Sequence, residues 1–186
     1  MGPTLCVLAK KAVEKSGVAR RVIAVSRFSD PLAVQLLQDN GVEAISCDLT
    51  DREQLAALPD VENIIFMAGV KFGTTGNEAY TWHMNATVPA FVADRFRGAR
   101  IVVFSSGNVY PIVPISSGGC RECDPVGPIG EYTQSVLARE RVFEYAARQY
   151  GTRVLIFRLN FAVDLRYGVL YDMAQRILQG DPIALD

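Results

Sequence analysis

The sequence predicts an α/β fold, in which a doubly wound parallel sheet carries helices on both faces. Short segments rich in β-branched residues alternate along the chain with segments whose apolar residues recur every three or four positions. This alternation of strands and helices is typical of right-handed parallel βαβ units. The composition agrees, because 49% hydrophobic and 21% charged residues are proportions found in globular chains.

The first half of the chain contains three predicted helices and three predicted strands. Pro3 to Lys15 is predicted helical because its apolar residues fall at i, i+3, i+4, i+7 and i+8, and Gly17 supplies a stop. Asp30-Pro31 and Asn40-Gly41 bound the second helix, and Pro59 ends the third. The predicted elements are helix 3–15, strand 21–25, helix 31–39, strand 42–47, helix 51–58 and strand 63–68.

The second half is predicted to contain a long helix, a long loop and further βαβ units. Pro89 lies inside the helix predicted over 79–97, so we expect a kink or a break there. The 24 residues from Gly107 to Gly130 follow a buried strand and are too many for an idle connection, which predicts a functional loop. The other predicted elements are strand 100–105, helix 131–149, strand 152–158, helix 169–178 and the start of a strand at 182–185.

Charge and hydropathy exclude several classes of protein. The net charge of −1 provides no electrostatic footprint for nucleic acid or for an anionic membrane surface. The sequence contains no run of about 18 apolar residues, which a membrane-spanning helix would need. Lys10, Lys11 and Lys15 lie within an amphipathic pattern, unlike the charged start of a signal peptide. We therefore expect a cytoplasmic protein with a small-molecule substrate.

The cysteines give no strong sign of a metal site. Cys6 and Cys47 fall in apolar segments and are predicted to be core residues. Cys120 and Cys123 form one CxxC in a glycine-rich loop, whereas a zinc site needs further ligands at suitable spacing. The single histidine, His83, does not supply them. We therefore predict no metal.

The two ends of the sequence predict an incomplete domain. A doubly wound domain normally begins with a strand, a glycine-rich turn and a helix, but here the predicted helix follows Gly2 directly. In a sheet of order 3-2-1-4-5-6 the missing first strand would be central, and its neighbours would lack hydrogen bonds on their facing edges. At the other end, the turn and apolar segment after Gly180 show no natural boundary.

A serine motif and a tyrosine carry the main chemical signal. Ser105-Ser106-Gly107-Asn108-Val109-Tyr110 follows a predicted buried strand, and Tyr132 opens the next helix 26 residues after Ser106. The order of these signals resembles the extended short-chain dehydrogenase/reductases, the NAD-dependent epimerase/dehydratase family. This resemblance implies one incomplete, Rossmann-like NAD(P)-binding domain over residues 1–186, in which residues 161–186 begin the substrate-binding region.

The resemblance also implies catalytic roles. Ser106 would hydrogen-bond the reacting oxygen of the substrate, with Ser105 as the alternative, and Tyr132 would exchange a proton with that oxygen. Asn85 would order the backbone or a water at the active site. A buried structural role for Asn85 is an equal alternative.

One position departs from the family pattern. The family's YxxxK motif requires a lysine four residues after Tyr132, and Val136 stands there. An ammonium group would favour the phenolate and would hold the nicotinamide ribose, and valine can do neither. Arg139 lies on the same helix face, and its long side chain could reach back toward Tyr132. Otherwise Tyr132 is an ordinary phenol, or turnover needs another base.

Several strand ends are predicted to bind the cofactor. Gly2 resembles the last glycine of the family's phosphate loop, although it could equally be an ordinary glycine near the start. Ser26 and Arg27 occupy the place where a carboxylate would bind the ribose of NAD, and an arginine there favours NADP, with NAD as the alternative. A solvated Arg27 at a strand end is the plainer interpretation.

The adenine and substrate sides complete the candidate site. Asp48 and Leu49 resemble the family's adenine contacts, while Asp51 suits a helix N-cap. Met67, Ala68 and Gly69 end the next strand, where small residues let a cofactor approach the backbone. The predicted substrate residues are Asn108, Asn160 and Arg166. Arg166 could clamp a substrate anion, although a salt bridge with Asp164 or Asp172 is the simpler alternative.

Three functions are compatible with these features. The first is an NAD(P)-dependent epimerase, dehydratase or reductase that acts on a sugar nucleotide or a similar hydroxyl or carbonyl compound. The second is a non-catalytic NAD(P)-binding or regulatory protein that has lost the lysine. The third is a fragment that binds nothing by itself. The resemblance also implies a homodimer that pairs through the helices at 79–97 and 131–149.

Overall fold

The computed structural model describes residues 1–160 and 168–183. Its helices and strands alternate as the sequence predicts. In chain order they are α1 (Gly2–Ser16), β1 (Ile23–Ser26), α2 (Pro31–Asp39), β2 (Glu43–Ser46), α3 (Arg52–Ala57), β3 (Asn63–Phe66), α4 (Glu78–Trp82), a π-helical turn (His83–Thr87), α5 (Val88–Arg95), β4 (Arg100–Ser106), α6 (Glu131–Tyr150), β5 (Arg153–Leu159) and α7 (Val169–Gln179), with short 3₁₀ turns at Gly107–Val109 and Ile115–Ser117.

The strands form two parallel sheets. β1 pairs with β2, with Ile23 opposite Glu43, and β3, β4 and β5 pair in that order. All described pairings are parallel, which confirms the predicted βαβ units. β1 and β3 share no ladder. These are the two strands that the order 3-2-1-4-5-6 would separate by one strand, so the observed pairing agrees with that prediction.

The main hydrophobic core lies where the three-stranded sheet packs against α3, α5 and α6. Phe66 of β3 and Phe143 of α6 meet there with ring centroids 5.5 Å apart. Val88 and Val103 are fully buried in the same cluster. Burial of one such side chain contributes about 1.5–3 kcal/mol, so this cluster fixes α5 and α6 against the sheet. A smaller cluster of Ala24, Leu37 and Val42 packs α2 against the first sheet.

Local signals fix the helix ends where the sequence predicts them. Asp51 accepts hydrogen bonds from the backbone amides of Glu53 and Gln54, which confirms the predicted N-cap of α3. Asp30 caps α2 in the same way through the amide of Leu32. None of the described helices is both long enough and apolar enough to span a membrane.

The long helix predicted over 79–97 requires a correction. It is divided into α4, the π-helical turn and α5, and the irregularity begins at His83 rather than at Pro89. Pro89 has no N–H to donate to the carbonyl of Asn85 four residues earlier. That carbonyl instead accepts a hydrogen bond from Nε of Arg139 at 3.4 Å. The missing donor therefore perturbs the turn before the proline.

Two predictions near the C-terminus fall wholly or partly outside the described residues. Residues 161–167, which include Arg166 and Asp164, lie outside the described residues. The strand expected over 182–185 is described only at its first two residues, which are not in a strand. The helix predicted at 169–178 is present as α7.

Candidate functional site

The candidate site lies at the carboxyl end of β4, beside the start of α6. β4 ends at Ser106, whose side chain is largely buried. The hydroxyl of Ser106 accepts a hydrogen bond from the amide of Asn108 at 3.2 Å, which starts the 3₁₀ turn 107–109. This turn contacts α6. The predicted serine motif and the helix that carries the predicted tyrosine are therefore neighbours.

Asn85 ties the loop after β3 to the first turn of α6. Its fully buried side chain accepts a hydrogen bond from the amide of Val70 at 2.9 Å and donates one to the carbonyl of Val70 at 2.9 Å. The same side chain donates to Oγ of Ser135 at 3.0 Å, and Ser135 donates to the carbonyl of Tyr132 at 2.7 Å. Asn85 thus holds a loop backbone and, through Ser135, the backbone of Tyr132.

The first turn of α6 has a second attachment to the preceding helices. The indole Nε1 of Trp82, at the end of α4, donates a hydrogen bond to the carboxylate of Glu131. Glu131 is the first residue of α6 and precedes Tyr132 directly. Tyr132 is partly exposed, while its backbone carbonyl accepts a hydrogen bond from Ser135 and its neighbour Glu131 is bound by Trp82.

The position of the family's lysine is part of the core. Val136 is 1% exposed, so this part of α6 faces the interior of the protein. Arg139 is also buried, at 6% exposure. Its guanidinium donates to Oδ1 of Asn85 at 2.7 Å and to the carbonyl of Phe104 at 2.8 Å. Nε of Arg139 also donates to the backbone carbonyl of Asn85. Together these hydrogen bonds connect β4 to the π-helical turn.

These contacts correct the proposed reach of Arg139 toward Tyr132. Among the described residues, the hydrogen-bond partners of its side chain are Asn85 and Phe104 and do not include Tyr132. Burial lowers the pKa of Arg139 to about 10, and nearby Tyr132 acts in the opposite direction. The guanidinium remains charged at neutral pH. Arg139 is therefore a buried cation that lies next to the candidate site and orients Asn85.

Gly69 is a glycine because other side chains fill the space around it. A Cβ at this position would lie 2.7 Å from Oδ1 of Asn85 and would collide with Nη2 of Arg139. The preceding residues, Met67 and Ala68, are half-buried, and Ala68 packs against the main core. This packing accounts for small residues after β3 without a ligand. Approach of a cofactor to the same backbone stays a prediction.

A buried ion pair beneath the serine motif was missed in the sequence. Glu140 of α6 is fully buried, and both of its carboxylate oxygens accept hydrogen bonds from Arg158 of β5, at 2.9 and 2.8 Å. Ser105 also donates to this carboxylate. The hydroxyl of Ser105 is therefore engaged inside the protein. Glu140 stands four residues after Val136 and three before Phe143, and a charge at this inward spacing is the signal that could have revealed it.

The carboxyl ends of β1 and β2 bring the predicted ribose and adenine residues together. The strand register places Ser26 opposite Ser46, so that Arg27 lies near Asp48. The amide and hydroxyl of Thr50 hold the pKa of Asp48 below its usual value, and the charge of Arg27 acts in the same direction. The side chain of Arg27 is exposed. A positive group and a carboxylate thus share this edge of the sheet.

The structure offers a plainer explanation for one of two further cofactor predictions. Leu49 packs against the main core, so its apolar side chain has a role without an adenine ring. Gly2 begins α1, and among the described residues no atom outside its chain neighbours and its own helix backbone lies within 4 Å of the place where its Cβ would stand. The resemblance of Gly2 to the last glycine of the phosphate loop stays a prediction.

The substrate-side residues meet at the turn after β4. The amide carbon of Asn160 would lie 2.6 Å from a Cβ at Gly107, so Asn160 covers this glycine directly. Asn108 is exposed beside it. Arg166 lies outside the described residues. Within residues 1–160 and 168–183, no group of three or more His, Cys, Asp or Glu side chains is arranged to hold a metal ion.

The parallel sheets, the helical connections and the polar groups at the strand ends define a Rossmann-like α/β protein. The model of the NAD dependent epimerase/dehydratase family matches residues 5–185, and the chain therefore belongs to this family. Among proteins of curated function, no sequence matches the chain significantly.

Solved structures support the same fold. Pal from Bacillus thuringiensis has a TM-score of 0.75 and 16% sequence identity over 95% of this chain and 60% of that one. UDP-glucuronic acid 4-epimerase from Bacillus cereus, in complex with NAD, has a TM-score of 0.72 and 17% identity over 97% and 61%. DesIV, a dTDP-glucose 4,6-dehydratase from Streptomyces venezuelae with NAD and TYD bound, has a TM-score of 0.76 and 18% identity over 94% and 58%. The chain thus spans about 60% of the length of these proteins.

Proposed function

We propose that this chain is the NAD(P)-binding part of an enzyme that acts on a sugar nucleotide as an epimerase, dehydratase or reductase. We propose further that residues 1–186 belong to one Rossmann-like domain in which residues 161–186 begin the substrate-binding region. Membership of the family supports the class of reaction. The sugar nucleotides named for the epimerase and the dehydratase of the same fold support the class of substrate.

The observation that carries this proposal is the arrangement of Ser106 and Tyr132. Ser106 ends β4, the turn after it contacts α6, and Tyr132 lies in the first turn of α6. Asn85 and Ser135 fix the backbone of Tyr132 through buried hydrogen bonds. The proposal is supported by the contact between α6 and the turn after β4, because open α/β sheets bind their ligands at the carboxyl ends of their strands.

The chemistry requires these residues to handle one oxygen atom of the substrate. When bound, the nicotinamide ring supplies the hydride acceptor or donor. Ser106 would donate a hydrogen bond to the oxygen on the reacting carbon, and Tyr132 would remove or return its proton. Asn85 would keep the loop at Val70 in place. Since Val136 is buried, the proton transfer from Tyr132 would proceed without the family's ammonium group.

The edge formed by β1 and β2 fits the adenosine end of the cofactor. Arg27 is exposed at the end of β1, and a guanidinium can bind a 2′-phosphate through two parallel hydrogen bonds. Asp48 is available on the neighbouring strand end for the adenine amine. We therefore propose that NADP binds more tightly than NAD, although the named relatives carry NAD.

A titration of the 186-residue chain with NADPH and with NADH tests this proposal. We expect saturable binding of both, tighter for NADPH. The Arg27→Ala variant should lose about tenfold in NADPH affinity, because one charge-assisted interaction is worth roughly 1.5–3 kcal/mol, while its NADH affinity stays the same. Arg153→Ala, at an exposed arginine of β5, is the matched control. Equal affinity for both cofactors would contradict the role of Arg27, and no binding by the folded chain would contradict the proposed function.

Val136 favours a second candidate, a non-catalytic NAD(P)-binding or regulatory protein. A buried valine at the lysine position removes the cation that would assist Tyr132. Turnover separates the two candidates and can be followed by chromatography of UDP-glucuronic acid incubated with the chain and NAD or NADP. For the enzyme we expect conversion that falls at least about tenfold in Tyr132→Phe, because general acid–base catalysis contributes roughly 10²–10⁴-fold. Cofactor binding without conversion in either protein would support the regulatory candidate.

We also propose that the chain forms a homodimer through α5 and α6. A shallow groove lies between these helices and is lined by Phe91, Val142 and Tyr145, with Tyr150 at its end. Tyr145 is 61% exposed although it lies on a helix whose other face is fully buried. Aromatic side chains of this kind are enriched at protein interfaces.

A further inference from the structure

Arg158 connects three separate parts of the chain around the serine motif. It lies near the end of β5, and its side chain is only 18% exposed. Two of its nitrogen atoms, Nε and Nη2, bind the two oxygens of Glu140 in the fork geometry of a strong arginine–carboxylate pair. The hydrogen bonds to Glu140 raise the pKa of Arg158, so its guanidinium stays charged. This half of the guanidinium attaches β5 to α6.

The third nitrogen of Arg158 is directed to the long loop 107–130. Nη1 donates to the hydroxyl of Tyr110 at 2.7 Å and to the carbonyl of Glu122 at 3.4 Å. The guanidinium also lies 4.8 Å from the centre of the Tyr110 ring, within the range of a cation–π contact. The same side chain thus holds the beginning of the loop and a point 12 residues further along it.

Hydrogen bonds of this network hold the serine motif at its first and last residues. The hydroxyl of Ser105 donates a hydrogen bond to Glu140, and the hydroxyl of Tyr110 accepts one from Arg158. The four residues between them, 106–109, include the two predicted ligand-contacting residues Ser106 and Asn108. Asn160, two residues after Arg158, covers Gly107 from the same side. The position of the short segment is therefore set by groups that do not belong to it.

Stability alone does not account for this arrangement. Buried ion pairs can often be replaced by apolar side chains of similar volume without loss of stability. Two hydrogen bonds already join Glu140 and Arg158. The remaining nitrogen of Arg158, Nη1, binds the loop through the hydroxyl of Tyr110. An apolar replacement would fill the core and would leave the loop unattached.

We propose that Arg158 is a positioning residue that fixes Ser106 and Asn108 through Glu140 and Tyr110. What the two residues then contact rests on the proposed function, whereas the restraint on the segment 106–110 does not. Two consequences follow. Loss of the hydrogen bond between Arg158 and Tyr110 makes the segment 106–110 more mobile in the protein without ligand. It also weakens binding of the sugar nucleotide and leaves the distant cofactor edge at β1 and β2 unchanged.

Amide hydrogen exchange tests the restraint directly. Tyr110→Phe removes one hydroxyl and leaves the pair of Glu140 and Arg158 intact. We expect the amides of Asn108 and Tyr110, which form hydrogen bonds within the turn, to exchange about fivefold faster, the factor that corresponds to one hydrogen bond of about 1 kcal/mol. Tyr80→Phe, at a partly exposed tyrosine of α4, is the matched control and should change nothing in this segment.

A second variant shows which part of Arg158 matters. Arg158→Lys keeps the positive charge near Glu140 but has no fork to reach the loop, and we expect the same faster exchange at 106–110 as in Tyr110→Phe. Unchanged exchange in Tyr110→Phe would overturn the proposal. A uniform increase throughout β3, β4 and β5 would also overturn it, because it would show general destabilisation.

Ligand affinities separate positioning from a merely structural role. With UDP-glucuronic acid and NADPH as probes, Tyr110→Phe should weaken binding of the sugar nucleotide about fivefold and leave the affinity for NADPH unchanged. Equal loss for both ligands would contradict positioning of the substrate side. If the unchanged chain binds neither probe, the proposed function fails, and the exchange measurement still decides whether Arg158 restrains the segment.

Discussion

At the scale of single residues, the site is built around two arginines, the buried Arg139 and the half-buried Arg158. Arg139 orients Asn85, and Arg158 joins Glu140 to the loop that carries Tyr110. Both guanidinium groups are satisfied by hydrogen bonds from several directions, which offsets the cost of burying a charge. A side chain at position 69 would collide with Arg139, so the packing favours glycine there.

This packing predicts that Gly69→Ala destabilises the protein. The added methyl group would press on Nη2 of Arg139 and on Oδ1 of Asn85, so that their hydrogen bond must lengthen or break. Overpacking of this kind costs about 1–3 kcal/mol. The measurement is the free energy of unfolding in urea.

Gly98→Ala is the matched control for this prediction. Nothing lies within 4 Å of a Cβ at Gly98, and its backbone is not in the left-handed region. We expect its unfolding free energy to stay the same or to rise by a few tenths of a kcal/mol, because alanine restricts the unfolded chain. Equal effects of the two substitutions would show that Arg139 does not constrain Gly69.

At the scale of helices and strands, local patterns predicted most of the fold. The helix over Pro31–Asp39 agrees with its prediction residue for residue, because its N-cap and its stop signal are both local. Strand ends differ by one or two residues, as in β1, predicted at 21–25 and present at Ile23–Ser26. Periodicity and end signals act within a few residues, so one sequence is enough to reveal them.

The features that the sequence did not predict depend on partners far along the chain. The π-helical turn is stabilised by Arg139, which donates to Asn85 from 54 residues away. The pair of Glu140 and Arg158 likewise joins α6 to β5. The candidate site residues Ser106 and Tyr132 were predicted only from a motif order, and the elements that carry them are neighbours because α6 packs against β4. Such contacts leave no local pattern, apart from a charge at an inward helix position.

At the scale of the whole molecule, exposed apolar side chains occur on several surfaces. One is the outer face of α6, where Tyr145 and Tyr150 pack against each other with ring centroids 6.2 Å apart. Arg52 lies over the ring of Phe91 across the groove, at 4.9 Å. A rim of charge around aromatic side chains is the usual composition of an interface between subunits.

We predict that sedimentation velocity detects a dimer whose population rises with protein concentration. The dimer should be weakened at least about tenfold by Tyr145→Asp, because a carboxylate at the centre of two symmetric copies would be buried without a partner. Leu178→Asp is the matched control, since Leu178 is 80% exposed on α7, away from the groove. A stable interface of about 1,200–2,000 Å² would form at micromolar concentrations or below. A chain that stays monomeric at all concentrations, or an equal loss in both variants, would show that α5 and α6 do not form the interface.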